Sequence, residues 1–149
     1  MEEVYLNFIR RLNEEGIRYL VIGGYAVIAH GYVRVTTDLD LLVATTEENA
    51  RRIIQVLIEN GFDAEQFEVR DFTEKPSFVS VRLGAYWIEL MTETPGLDFE
   101  EAYSNRLVTE FDGVLIPYLN LPDLIKNKKS VGRLKDQVDL ENLPSPNDE

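Results

Sequence analysis

The sequence predicts an α+β (mixed α/β) domain: a mixed sheet flanked by helices and followed by a helical C-terminal segment. Three observations carry this. Val4, Tyr5, Phe8, Ile9 and Leu12 recur at helical spacing. A short apolar run ends at Gly23-Gly24 and is followed by the alternating run Asp38-Leu39-Asp40-Leu41. Two strand pairs flank the turn signals Gly84-Ala85 and Asp112-Gly113.

The elements follow in order. Glu2 to Glu15 reads as an amphipathic helix closed by Gly16, and Ile17 to Ile22 as a short buried strand. Gly23-Gly24 then turns the chain into a short helix from Tyr25 to His30, closed by Gly31. Asp38 to Val43 is a second strand, whose period of two places Asp38 and Asp40 on one face and Leu39 and Leu41 on the other. Thr45 followed by Glu48 has capping-box spacing for a helix through Glu59, with Ile53, Ile54, Leu57 and Ile58 as its buried stripe. Between 62 and 76 the one strand-like signal is Phe67, Val69 and Arg70. Phe78 to Leu83 and Tyr86 to Met91 read as a hairpin that puts Trp87, Glu89 and Met91 on one face. A short helix over Leu97 to Tyr103 precedes a second hairpin, Arg106 to Phe111 with Val114 to Tyr118. Pro122 fits the first turn of a helix starting near Leu121, and Gly132 separates it from a last helix over Arg133 to Leu143. With 149 residues the chain suits one domain, expected over 1–143, with a frayed tail over 144–149.

Composition narrows the function classes. Hydrophobic residues make up 44% and charged residues 28%, which disfavours wholesale disorder. The chain has no cysteine and a single histidine, His30, so disulfide frameworks, thiolate zinc sites and multi-histidine sites are excluded. A net charge of -12 disfavours nonspecific attraction to nucleic acid or an anionic membrane. No apolar segment approaches the roughly 20 residues of a membrane span, and the start Met1-Glu2-Glu3 is unlike a secretory signal, so a cytoplasmic protein with no membrane partner is expected. Lys126, Lys128, Lys129, Arg133 and Lys135 make the stretch from Asp123 to Asp136 locally cationic.

The chemistry concentrates in Gly23-Gly24 and Asp38-x-Asp40. Glycine lets the backbone approach a phosphate closely, and two carboxylates on one strand face suit a hard divalent cation such as Mg²⁺ or Mn²⁺. Together they describe a site for a nucleoside triphosphate (NTP). Glu89 is the third carboxylate if its strand neighbours that of Asp38, and otherwise a structural or exposed acid. Arg34 either steadies a phosphate or forms a loop ion pair. Lys126 and Lys129 either contact nucleotide or acceptor or lie on a solvated face, and Asp136 is placed to orient Lys129 or Arg133. His30 reads as structural, and Trp87 and Tyr25 as core or base-stacking aromatics.

These residues resemble the nucleotidyltransferase superfamily, and within it the AbiEii-like and minimal nucleotidyltransferase group. The resemblance rests on Gly23-Gly24-Tyr25-Ala26-Val27, His30-Gly31, Arg34 and Thr36-Thr37-Asp38-Leu39-Asp40-Leu41. It extends to Asn120-Leu121-Pro122-Asp123-Leu124-Ile125-Lys126, Lys129, Gly132-Arg133-Leu134-Lys135-Asp136 and Asp139-Leu140. It implies a polymerase-beta-like mixed sheet and transfer of a nucleoside monophosphate from an NTP to an acceptor, with release of pyrophosphate. In those terms Gly23 and Gly24 shape the phosphate turn, Asp38 and Asp40 ligate metal, and Glu89 stands at the third acid. Many members carry Ser at the second turn position and Asp as the third acid; Gly24 gives up that hydroxyl and Glu89 has a longer reach. The competing expectation is a noncatalytic binding or regulatory module of the same fold, such as one half of a toxin–antitoxin pair. The acceptor, whether RNA, protein or small molecule, is not legible, and a protein partner that supplies its surface is compatible with the small size.

Overall fold

The computed structural model describes residues 1–145, so the tail expected over 144–149 lies, from residue 146 on, outside the described residues. Six strands form one mixed sheet: β1 (Tyr19–Ile22), β2 (Asp38–Val43), β3 (Phe78–Leu83), β4 (Tyr86–Met91), β5 (Leu107–Phe111) and β6 (Val114–Tyr118). Their spatial order is β3-β4-β2-β1-β6-β5. β1 pairs antiparallel with β2 and parallel with β6, β2 pairs parallel with β4, and two antiparallel hairpins close the edges. The helices are α1 (Glu3–Glu14), α2 (Gly23–Ala29), α3 (Glu47–Glu59), α4 (Phe99–Ser104), α5 (Leu121–Val131) and α6 (Leu134–Asn142). Among the described residues no helix is long and apolar enough to cross a membrane.

The apolar periodicities explain the layering. Tyr5, Phe8, Ile9 and Leu12 of α1 and Ile53, Val56 and Leu57 of α3 are buried in one cluster with Leu39 and Leu41 of β2 and Ile88 and Leu90 of β4. Strand alternation therefore turns Asp38, Asp40, Trp87, Glu89 and Met91 to the opposite face. Tyr5 also fixes the ends of the two strands. Its hydroxyl lies 2.6 Å from the Thr37 carbonyl and 2.9 Å from that of Trp87, so it bridges β2 and β4 where the site begins. Burial, reinforced by Tyr25 and Asp38, pushes that phenol up to about 12, which keeps it a donor.

Helix boundaries follow cap chemistry. The N-cap of α3 is Thr46, whose side chain accepts from the Asn49 amide, one residue beyond the expected Thr45–Glu48 box. Asn120 caps α5 by accepting from the Asp123 amide, and Pro122 occupies its first turn. The left-handed Gly132 (φ 70°) ends that helix. The strand-like signal of Phe67, Val69 and Arg70 does not become a strand. Two 3₁₀ turns, Ala64–Gln66 and Val69–Phe72, stand there instead: the Asp63 and Glu68 amides donate to the side chains of Gln66 and Asp71, and Phe72 is fully buried while Phe67 and Val69 pack against the core edge.

Candidate functional site

β1 ends at Ile22, which pairs with Asp40, and the chain turns immediately at Gly23. Gly23 has φ 68°, and a Cβ there would stand 2.2 Å from Asp40 Oδ2. Only glycine satisfies both the backbone conformation and this approach. Asp40 in turn faces Glu89 across the parallel β2–β4 pair, with Asp38 opposite Trp87. The Asp40 carboxyl is pushed up to about 8, first by burial, then by its hydrogen bond to Glu89 and the repulsion of Glu89 and Asp38, with Lys135 opposing.

This acid edge divides a cleft into two chambers. The smaller, about 170 Å³, is lined by Gly23, Gly24, Thr36, Asp38, Asp40 and the cationic side chains of Arg34, Lys128, Arg133 and Lys135. The larger, about 360 Å³, is bounded by Glu89, Phe78, Met91, Glu93, Thr94 and Val131 and shares Asp38, Asp40 and Lys135 with the first. A separate hollow of about 450 Å³ between α1 and the β5–β6 hairpin contains none of these acids.

The wall opposite the acids is set by a buried ionic network. Lys128 is 4% exposed and lies 2.9 Å from both Asp136 Oδ1 and Asp139 Oδ2. Asp139 receives Arg34 in a two-pronged pair, with Nε at 2.7 Å and Nη2 at 2.9 Å. Asp136 accepts from both the backbone and the guanidinium of Arg133, which starts α6. Burial alone would raise the Asp136 carboxyl, but the hydrogen bonds from Arg133 and Lys128 outweigh it and hold it at about 2. Asp139 is likewise lowered: burial opposes, and the bonds from Arg34 and Lys128 prevail. α6 is therefore clamped to α5 and to the Arg34 segment through charges.

No family model and no curated protein matches the sequence. Solved structures do match. A protein from Thermotoga maritima, provisionally assigned as a nucleotidyltransferase, superposes with a TM-score of 0.65 at 19% identity, covering 93% of this chain and 88% of its own. An antigenic nucleotidyltransferase-like protein from Paracoccidioides brasiliensis gives 0.59 at 16% identity, over 93% and 71%. This chain has a nucleotidyltransferase-like fold.

Within that nucleotidyltransferase-like fold the sequence-derived residues are distributed unevenly. Gly23, Gly24, Asp38, Asp40 and Glu89 converge on one cleft. Arg34 forms the ion pair, with Asp139 as its partner, and the same side chain lines the smaller chamber. Lys126 and Lys129 are exposed and line neither chamber, which differs from the nucleotide contact expected of them. The reason is helical phase: Leu121, Leu124 and Lys128 fall on the buried side of α5, and Lys126 and Lys129 on the other. Asp136 pairs with Lys128 and Arg133, and not with Lys129. His30 Nε2 lies 2.7 Å from the Leu119 carbonyl, in keeping with a structural role. Sequence reasoning missed Lys128 and Lys135 as cleft residues; the i, i+4 step from the apolar Leu124 to Lys128 was the available signal for the first. It also missed Thr36 as a cleft wall.

Proposed function

We propose that the protein is a divalent-metal-dependent nucleotidyltransferase, which passes a nucleoside monophosphate from an NTP to a hydroxyl or phosphate acceptor and releases pyrophosphate. The observation that carries this reading is the Asp40–Glu89 contact at the foot of Gly23, with Asp38 on the same strand face and four cationic side chains across a narrow chamber. Among the described residues no group of three or more His, Cys, Asp or Glu side chains is already gathered around a metal position. The donor set nonetheless suits a hard cation, because Mg²⁺ is commonly held by one or two carboxylates while phosphate oxygens and water complete its shell. Asp38, Asp40 and Glu89 would hold Mg²⁺ or Mn²⁺, and the ion would supply neutralisation of phosphate charge and Lewis-acid activation of the reacting oxygens.

The chain's own residues do the rest. Asp40, which burial and its acidic neighbours favour in the protonated form, would give up that proton to serve as a ligand. Gly23 and Gly24 let the backbone come close to the triphosphate tail. Arg133 and Lys135 attract its charge, and Lys128 carries a positive charge into the wall with its position fixed by two carboxylates. The larger chamber, with Phe78 and Met91 beside Glu89, offers room for the nucleoside or the acceptor.

A specific observation favours a second reading, a noncatalytic binding or regulatory module. The three acids are not preassembled, and Arg34 and Lys128 are already engaged by Asp136 and Asp139. The two readings separate when NTPs labelled on the α-phosphate are incubated with RNA, protein and small-alcohol acceptors in Mn²⁺ or Mg²⁺. Transfer of label with pyrophosphate release, lost in folded Asp38→Asn and Asp40→Asn variants, is the expected result. NTP binding with no transfer to any acceptor class would favour the noncatalytic module.

A further inference from the structure

Gly24 is a glycine for a reason different from that of Gly23. Its φ lies outside the left-handed region that favours glycine, so the backbone itself would accept another residue. What excludes a side chain is Thr36: a Cβ on residue 24 would stand 2.3 Å from Thr36 Oγ1 and 2.7 Å from Thr36 Cβ. The space that a side chain on the turn would take is filled from the facing segment by a hydroxyl.

That hydroxyl has no hydrogen-bond partner among the described residues, and it is not sealed in the interior. Burial alternates along the segment. Arg34, Thr36 and Asp38 are half-buried, while Val33, Val35 and Thr37 between and beside them are exposed. Thr36 therefore lies in the row that continues into the Asp38 and Asp40 face, and it lines the smaller chamber with Gly23, Gly24, Arg34 and both acids. A hydroxyl serving only the fold would bond to a nearby backbone group, as Thr46 does when it caps α3.

We propose that Thr36 Oγ1 donates a hydrogen bond to a phosphate oxygen of the bound NTP and is the side-chain hydroxyl of the phosphate site. This rests on the nucleotide reading above. It also assigns the bare Gly24 its role, which is to make room for that hydroxyl.

The test is calorimetric titration of the full chain with ATP, GTP, CTP and UTP in Mn²⁺, continued with the tightest of the four. A hydrogen bond to a charged group predicts that Thr36→Val weakens binding by about tenfold or more while Thr36→Ser stays within about threefold of wild type. A reciprocal exchange keeps the test valid if Thr36→Val folds poorly. The double variant Gly24→Ser/Thr36→Gly moves the hydroxyl to the other wall and should bind within about fivefold of wild type, whereas Gly24→Ala/Thr36→Gly fills the same space without one and should lose about tenfold or more. Equal binding by Thr36→Val and wild type, or by the two double variants, would overturn the assignment of Thr36 and leave the nucleotide reading standing. Absence of wild-type binding to all four NTPs would overturn both.

Discussion

Asp40 on β2 and Glu89 on β4 stand opposite each other in a parallel strand pair, with the Asp40 carboxyl against the turn at Gly23. In a fold without a bound cation this pairing is unfavourable when both groups are ionised, since like charges are brought together in a partly buried place. In the proposed function a divalent cation held by these acids would offset that repulsion.

The stability cost should be measurable. The Asp40 carboxyl is raised from 3.8 to about 8, so its contribution is present below its unfolded value and is lost as pH rises through about 8. Metal-free Asp40→Asn should therefore melt above wild type, by a margin that widens from about pH 5 to about pH 8 and then levels at about 3 °C or more. Mn²⁺ should raise the melting temperature of wild type and leave the variant unchanged. Thermal melts across this pH range, with and without Mn²⁺, check both signs.

Gly23 and Gly84 separate backbone strain from close approach. Both have positive φ, 68° and 62°, but a Cβ on Gly84 meets open space, whereas one on Gly23 meets Asp40. Gly84→Ala should cost about 1 kcal/mol from left-handed strain alone. Gly23→Ala should cost at least about 2 kcal/mol more, because Asp40 has to move. Urea unfolding of the two variants gives the difference directly.

Lys128 and its neighbours on α5 should behave in opposite ways. Lys128→Met leaves Asp136 and Asp139 short of a buried partner, and a loss of about 3 kcal/mol is expected. Lys126→Ala and Lys129→Ala, on the exposed side, should stay within about 0.5 kcal/mol of wild type. The Asp136 carboxyl is held at about 2, so this network adds stability above its unfolded value of 3.8 and loses it as pH falls toward 2. Acid unfolding of wild type followed by circular dichroism should accordingly show a steep loss below about pH 4 that is shallower in Lys128→Met.

Much of this architecture was legible because its signals are local. Alternation in Asp38-Leu39-Asp40-Leu41 and Trp87-Ile88-Glu89-Leu90 fixed which face each acid takes, and the turn residues at 84–85, 112–113 and 132 placed the breaks. What the sequence left open is long-range: that β4 and not another strand neighbours β2, which brings Glu89 to Asp40. Lys128 was obscured because a charged residue on an apolar stripe reads as solvated until its partners, eight and eleven residues on, are known to fold back on it. Phe67, Val69 and Arg70 carry a strand-like signal, but 3₁₀ turns form because the Asp63 and Glu68 amides are taken by the side chains of Gln66 and Asp71. Thr36 enters the sequence reading only as part of the run that ends in Asp38 and Asp40; its place against Gly24 is visible only in three dimensions.

The most direct test is calorimetric titration of wild type with each NTP in Mg²⁺ and in Mn²⁺, beside a folded Asp38→Asn/Asp40→Asn control. Saturable binding by wild type that is abolished in the control is the expected result and would locate the nucleotide at the acid pair. Binding that survives in the control, or no wild-type binding with either metal, would contradict a nucleotidyltransferase site built on Asp38, Asp40 and Glu89.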